Sequence, residues 1–149
     1  LEMPHKHLSK IKFHFPAKDT YLEDRMRLKK FILALFDKEG RRLETLNYIF
    51  CSDKYLLSIN QSFLSHNYYT DIITFELSET IDVVVGEIYI SIDRVRVNSK
   101  LFSTTIKEEL HRVIIHGALH LCGYKDKTKA ERLKMREKEN FYLVKYFQK

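Results

Sequence analysis

Glycine is scarce in this sequence, where only Gly40, Gly86, Gly117 and Gly123 occur among 149 residues. An average protein contains roughly 7% glycine. No GxGxxG, GxxxxGK[ST] or GxSxG motif can be written with these four positions. The sequence therefore argues against dinucleotide-binding oxidoreductases, P-loop NTPases and serine hydrolases with a nucleophile elbow.

The composition is that of a globular protein, since 44% of the residues are hydrophobic. Apolar runs such as 113–115 are far shorter than the roughly 18–20 residues of a membrane span, and no signal peptide is expected. Met3 is the expected natural start, with Leu1 and Glu2 a cloning remnant. Cys51 and Cys122 lack CxxC spacing and indicate reduced thiols. We expect one cytoplasmic domain spanning residues 1–149, without membrane contact.

Three Thr-x-x-Glu capping boxes predict where helices begin. They start at Thr20, Thr105 and Thr128, and the helices are expected to end near residues 36, 122 and 147. A shorter helix is expected from Ser52 to about Phe63. Strands are predicted at 10–15, 43–50, 72–77 and 83–92, the last two forming a hairpin. The resulting β-α-β-α-β-β-α-α order predicts the α+β class, a single layered domain with about four strands in a mixed sheet packed with helices.

The helix at 105–122 carries the chemistry that the sequence points to. His116 and His120 are four residues apart, so their side chains share one helix face, and the surrounding residues are mostly apolar. Buried imidazoles in such a segment need polar partners or a metal. Gly123 can end the helix and let Asp126 face the histidines. Two imidazoles, one carboxylate and an open position form the pattern of a catalytic zinc site. Gly117, which is unfavourable in a helix interior, suggests that another group approaches closely there.

Three other residues near the two histidines were considered as possible parts of the site. His111 lies on a different side of the helix and is expected to be structural or surface-facing. Arg112 shares the face of His116 and could contact a phosphate or pair with Glu109. Cys122 is the one nearby candidate for a fourth ligand, but its position turns it around the helix from the histidines.

The spacing from His116 to Asp126 also fits metzincin proteases, whose pattern is H-E-x-x-H-x-x-G-x-x-H. However, Gly117 occupies the position of the glutamate that activates water in those enzymes. A zinc peptidase is therefore the weaker interpretation.

The segment 116–126 more closely resembles the YbeY-type bacterial rRNA-maturation endoribonucleases, whose motif is H-G-x-L-H-L-x-G-Y-D-H. Upstream, 70–75 is similar to the family's T-D-V-L-S-F segment, 86–91 to its G-D/E-I-x-I-S strand, and 59–60 to its L-N pair. The resemblance implies an α+β domain with one bound Zn²⁺ that hydrolyses single-stranded RNA in ribosomal RNA processing, ribosome maturation and quality control. It also implies partners in the small ribosomal subunit and its assembly factors.

Two positions depart from that family pattern. The family's third ligand is usually histidine, and the ungapped match places Asp126 there. If Lys125 is an insertion, Lys127 falls in the ligand slot instead; we favour Asp126, because a carboxylate can ligate zinc. An arginine that the family associates with activity is replaced by Leu64. His66 or Arg112 could supply the missing positive charge.

The charge distribution suits a polyanionic partner. The net charge is +6, and residues 125–149 contain nine Lys/Arg and four Asp/Glu, which is +5 of that excess. A solvated helix face is the alternative. A third function also stays open, namely a non-catalytic RNA- or ribosome-binding module with a structural metal. Such a site would be closed by four protein ligands, whereas a hydrolase keeps one position open.

Overall fold

A computed structural model describes residues 5–15 and 22–148, with the side chains from residue 7 onward in the first range. Its helices and strands are, in chain order, α1 (His5–Leu8), β1 (Ile11–His14), α2 (Arg25–Lys38), β2 (Leu43–Cys51), α3 (Asp53–Leu64), β3 (Ile72–Glu76), β4 (Val84–Ser91), α4 (Ile92–Leu101), α5 (Ile106–Leu121) and α6 (Lys129–Phe147). No helix among the described residues is long and apolar enough to cross a membrane.

The four strands form one mixed sheet in the order β1-β2-β4-β3. β1 and β4 lie parallel to β2 on its two sides, and β3 lies antiparallel to β4 with Thr74 opposite Ile88. The parallel neighbours are joined by crossovers that contain helices, as such pairs require. The predicted α+β class, the mixed sheet and the β3–β4 hairpin are confirmed.

Helix α5 packs directly on the sheet, and two glycines are placed where the packing is tightest. A Cβ atom on Gly117 would lie 2.8 Å from Cδ1 of Ile88, and one on Gly86 would lie 2.6 Å from Cδ1 of Leu121. The buried Tyr48 hydroxyl on β2 donates to the Ile114 carbonyl on α5 at 2.9 Å. The group that approaches Gly117 is therefore the side-chain layer of the sheet, which holds α5 in a fixed position.

Most helix starts follow the predicted caps. The Thr128 hydroxyl and the Glu131 side chain form a complete capping box, and Thr105 accepts from the Glu108 backbone N–H. The first prediction is wrong in position: α2 begins at Arg25, with Asp24 as its N-cap. Thr20 lies outside the described residues. Asp24 satisfies the first-turn N–H groups as well as threonine can, because both are favoured N-cap residues.

Two helices are additional to the predicted elements. The short α1 precedes β1, and α4 continues directly from β4. Ser91 caps α4 by accepting from the Arg94 backbone N–H at 3.1 Å. Since the isoleucine and valine residues around 88–97 favour strands, they mask the point where the strand ends and the helix begins.

Candidate metal centre

Helix α5 and the loop after it bring His116, His120 and Asp126 together. The two imidazole ring centroids are 4.5 Å apart. One carboxylate oxygen of Asp126, Oδ2, lies 3.3 Å from Nε2 of each histidine. The three potential ligand atoms all lie within 4.8 Å of one another. This arrangement can hold one small metal ion.

The turn that returns Asp126 to the histidines is a helix-ending motif. Gly123 adopts φ +104°, in the left-handed region that favours glycine. Its N–H donates to the His120 carbonyl at 2.9 Å, and the Tyr124 N–H donates to the Leu119 carbonyl at 3.1 Å. These two bonds define a Schellman motif, so the glycine predicted to end α5 does so.

Hydrogen bonds at Nδ1 fix the orientation of both imidazole rings, His116 and His120. Nδ1 of His116 lies 2.6 Å from Oε2 of Glu139, and Nδ1 of His120 lies 2.9 Å from the Tyr124 carbonyl oxygen. Both partners are acceptors, so in the neutral form of each imidazole Nδ1 donates the hydrogen and Nε2 keeps its lone pair. Partners of this kind orient metal-binding histidines and make them better ligands. The donor set therefore fits a metal ion with borderline preferences such as Zn²⁺.

Glu139 on α6 is a central buried charge of this site. Its side chain is 6% exposed, and it also accepts from Arg112 at 3.1 Å. Burial raises the pKa of Glu139, but the hydrogen bond and charge of His116 outweigh burial and lower the pKa below its ordinary value. Burial likewise lowers the pKa of His116, and Glu139 reverses this to a net increase. Each of the two groups therefore stabilises the charged form of the other.

One cleft of about 760 Å³ is lined by all five predicted site residues, namely His66, Arg112, His116, His120 and Asp126. Arg112 donates to Glu139 and to Asn140 at 3.0 Å, so Glu139 is the acidic partner that the structure gives it. His66 lies in the loop after α3, where its ring stacks on Tyr68 with centroids 5.1 Å apart. Lys127, the ligand-slot residue of the gapped alignment, also lines the cleft.

Asp71 and Glu109 also line the cleft, although neither was predicted as a site residue. Burial raises the pKa of Asp71, and burial together with the charge of Asp71 raises the pKa of Glu109. Glu139 was also missed. The sequence did contain a signal for Glu139, because this residue lies on the same buried face of α6 as Met135, Tyr142 and Leu143. A carboxylate inside an apolar helix face needs a buried partner.

His111 and Cys122, which the sequence analysis did not favour as metal ligands, lie outside the site. His111 is buried, its Nδ1 donates to the Lys107 carbonyl at 2.7 Å, and its ring stacks on Tyr146. Of the two roles that the sequence left open for His111, structural or surface-facing, its burial fits the structural one. Cys122 packs against the hydrophobic core, and burial raises the pKa of its thiol to about 12. It does not belong to the group of potential ligand atoms found among the described residues.

Fold and site together define an α+β protein with a candidate three-ligand metal centre in an open cleft. Residues 16–147 match the family described as endoribonuclease YbeY. The endoribonuclease YbeY of Flavobacterium psychrophilum is 56% identical over 130 residues, which cover 87% of this chain and 91% of that protein. The one from Cytophaga hutchinsonii is 50% identical over 132 residues, covering 88% and 92%.

A solved structure supports the same relationship. The solution structure of a Thermotoga maritima protein has a TM-score of 0.65 and 30% sequence identity, covering 92% of this chain and 89% of that one. The chain belongs to the endoribonuclease YbeY family. The resemblance inferred from the motifs is confirmed.

Proposed function

We propose that this chain is a zinc-dependent endoribonuclease that hydrolyses single-stranded ribosomal RNA during RNA processing, ribosome maturation and quality control. The observation that carries the proposal is the pair of Nε2 atoms facing Asp126, with both Nδ1 atoms already engaged. Membership of the endoribonuclease YbeY family supplies the class of reaction. We further propose that residues 1–149 act as one cytoplasmic domain whose partners include the small ribosomal subunit and its assembly factors.

His116, His120 and Asp126 are the residues that would hold one Zn²⁺. Three protein ligands leave a position for water or substrate, which is typical of catalytic rather than structural zinc. When bound, the ion would supply Lewis-acid chemistry, polarising a phosphate oxygen and lowering the pKa of a bound water. Glu139 holds the hydrogen on His116 Nδ1 and so keeps Nε2 free for this purpose.

Arg112 and His66 are proposed to contact the RNA phosphate. The Arg112 guanidinium is oriented by Glu139 and Asn140, and its side chain remains 18% exposed in the cleft. Its free N–H groups can bind phosphate oxygens in the manner typical of arginine. One of them, Arg112 or His66, would provide the positive charge that is lost where Leu64 replaces the arginine of the family pattern.

Aromatic side chains at the cleft favour an unpaired strand as substrate. Tyr68 and Phe102 both line the cleft and are 56% and 61% exposed. Unpaired bases stack on such rings, and each stacked base contributes about 1–3 kcal/mol. Lys127 and Arg136 line the same cleft and can neutralise phosphates.

The peptidase alternative is less well supported by the packing of α5. A metzincin-like enzyme needs glutamate at position 117, yet a Cβ there would lie 2.8 Å from Ile88 and 3.0 Å from Ile72. A glutamate there would require the side chains of Ile88 and Ile72 to shift. The non-catalytic alternative, a structural metal, would need a fourth protein ligand beside the three that come together.

The test compares RNA cleavage by the zinc-loaded protein with cleavage after chelation and after zinc is restored. We expect cleavage of an unpaired ribosomal RNA fragment, loss on chelation, recovery with Zn²⁺, and little cleavage of the same sequence in a duplex. A His116→Ala, His120→Ala double variant should stay inactive with added zinc, while His14→Ala, on the sheet edge, should match the parent. Equal cleavage by the double variant would contradict the proposed site.

A further inference from the structure

A carboxylate outside the cleft gathers three donors from two other parts of the chain. Glu39 directly follows α2, and its side chain is 10% exposed. Its Oε1 accepts from the Tyr124 hydroxyl at 2.7 Å. Its Oε2 accepts from the Tyr142 hydroxyl and from Lys138 Nζ, the latter at 3.2 Å. The contact between Glu39 and Tyr124 thus joins the end of α2 to the loop that follows α5, across 85 positions of sequence.

Tyr124 connects this carboxylate to the candidate metal centre. Its backbone carbonyl accepts from Nδ1 of His120 at 2.9 Å, while its own N–H is engaged by the Schellman bond to Leu119. Two residues later, Asp126 presents Oδ2 at 3.3 Å from Nε2 of His120. The Tyr124 backbone is hydrogen-bonded at both its N–H and its carbonyl. Because ring and backbone belong to one residue, the position of the ring also determines the position of the carbonyl beside His120 and the path of the loop that leads to Asp126.

We infer that Tyr124, anchored by Glu39, is a positioning residue for the metal site. Among the described residues that line the cleft Tyr124 does not occur, and its hydroxyl donates to Glu39. Tyr124 therefore acts through the carbonyl that orients His120 and through the loop that carries Asp126. This inference rests on the proposed metal site and adds a requirement to it: zinc affinity depends on a hydrogen bond made at the end of α2. Partners that orient metal ligands typically change metal affinity 10–100-fold when removed.

The decisive variants are Tyr124→Phe and Tyr142→Phe, which each remove one hydroxyl from the same carboxylate. Both lose one hydrogen bond to Glu39. Only Tyr124 is connected to His120 and Asp126 through the loop. We expect Tyr124→Phe to weaken Zn²⁺ affinity by about 10-fold, in competition with a chromophoric chelator at one neutral pH. Tyr142→Phe should bind zinc like the parent even though its thermal stability falls similarly.

A readout without metal separates positioning from loss of stability. In the metal-free parent, the side-chain nitrogen chemical shifts of His120 should report a hydrogen on Nδ1. Tyr124→Phe should increase the population with the hydrogen on Nε2, because the carbonyl is no longer held beside Nδ1. Tyr142→Phe should leave these shifts unchanged.

A double-mutant cycle identifies the path of the effect. If Tyr124 acts through Glu39, then Glu39→Ala combined with Tyr124→Phe should weaken zinc binding no more than the stronger of the two single variants. Additive losses would overturn the assignment of Glu39 as the anchor. If Glu39→Ala fails to fold, the tyrosine pair still decides the inference.

Failure of the inference is distinguishable from failure of the metal site. If the parent binds zinc, the His116→Ala, His120→Ala double variant does not, and Tyr124→Phe matches the parent, then the positioning role alone is overturned. Equal weakening by Tyr124→Phe and Tyr142→Phe also overturns it, because general loosening would explain both. If the histidine double variant binds zinc like the parent, the metal site and the positioning role fall together.

Discussion

Oε2 of Glu139 lies 2.6 Å from Nδ1 of His116, so a carboxylate on α6 sets the orientation of an imidazole on α5. The same carboxylate receives Arg112 at 3.1 Å on its other oxygen. Glu139 therefore orients both a proposed metal ligand and a proposed phosphate-binding residue. Its burial, at 6% exposed, makes the arrangement sensitive to any change in its charge.

We expect Glu139→Gln to weaken Zn²⁺ affinity by about 10- to 100-fold, as loss of a charged partner of a metal-binding histidine typically does. Glu137→Gln is the matched control, because that carboxylate lies two residues away with its side chain 70% exposed. Competitive zinc titration of both variants checks the prediction. Equal affinities for Glu139→Gln and the parent would show that His116 does not depend on Glu139.

The pH dependence of zinc binding follows from the interaction between His116 and Glu139. Burial lowers the pKa of His116, but Glu139 raises it above the ordinary value of 6.5, so a proton competes with zinc up to that higher pKa. Zinc affinity should therefore rise with pH and level off only above the His116 pKa. In Glu139→Gln the His116 pKa falls, so the plateau should begin at lower pH although its affinity is weaker. An unchanged pH profile in Glu139→Gln would contradict this coupling.

Asp126 separates the two alignments of the motif. Asp126→Ala should weaken zinc binding by about 10-fold or more, because it removes an oxygen 3.3 Å from both Nε2 atoms. Lys127→Ala should leave zinc affinity unchanged, since lysine is a poor zinc ligand. Asp126→His should keep zinc and move the onset of activity to lower pH, because neutral imidazole donates less charge than carboxylate. Zinc binding by Asp126→Ala equal to the parent would remove Asp126 from the ligand set.

Gly117→Ala tests the fixed position of α5. Alanine gains about 1 kcal/mol of helix propensity. Its Cβ, however, would lie 2.8 Å from Ile88 Cδ1 and 3.0 Å from Ile72 Cδ1. Because overpacking typically costs about 1–3 kcal/mol, we expect a net loss in the free energy of unfolding. Adding Ile88→Val, which removes the nearest methyl, should recover part of that loss; denaturant unfolding of the single and double variants measures it.

The salt dependence of RNA binding tests which basic residues contact phosphate. Arg136 lines the cleft, where its guanidinium lies 3.8 Å from Glu139, whereas Lys134 on the same helix pairs with the exposed Glu137 at 3.4 Å. Arg136→Gln should lower RNA affinity and reduce the slope of log affinity against log salt by about 1. Lys134→Gln should change neither. A salt slope for Arg136→Gln equal to that of the parent would support the alternative that the basic residues of 125–149 form a solvated helix face.

How much of the molecule could be predicted from sequence depends on how local each signal is. Some features depend only on residues that are close in sequence, and each of these lies where it was expected. They are the pair His116 and His120, the helix end at Gly123 and the cap at Thr128. The start of α2 was misplaced because two capping residues compete within five positions, and Asp24 is the cap in the structure.

The contacts that complete the site are long-range and could not be derived from spacing. Glu139 meets His116 from 23 residues away, and Glu39 meets Tyr124 from 85 residues away. Which helix faces meet depends on tertiary packing. The burial pattern of α6 marks Glu139 as a charge that needs a partner, but it does not name His116.

The measurement that tests the central claim most directly follows RNA cleavage while Zn²⁺ is added stepwise to the metal-free protein. The account predicts that cleavage of an unpaired RNA rises with zinc and reaches its maximum at one ion per chain. It also predicts that the His116→Ala, His120→Ala double variant stays inactive throughout the titration. Full cleavage by the parent before any zinc is added, or the same titration curve for the double variant, would contradict it.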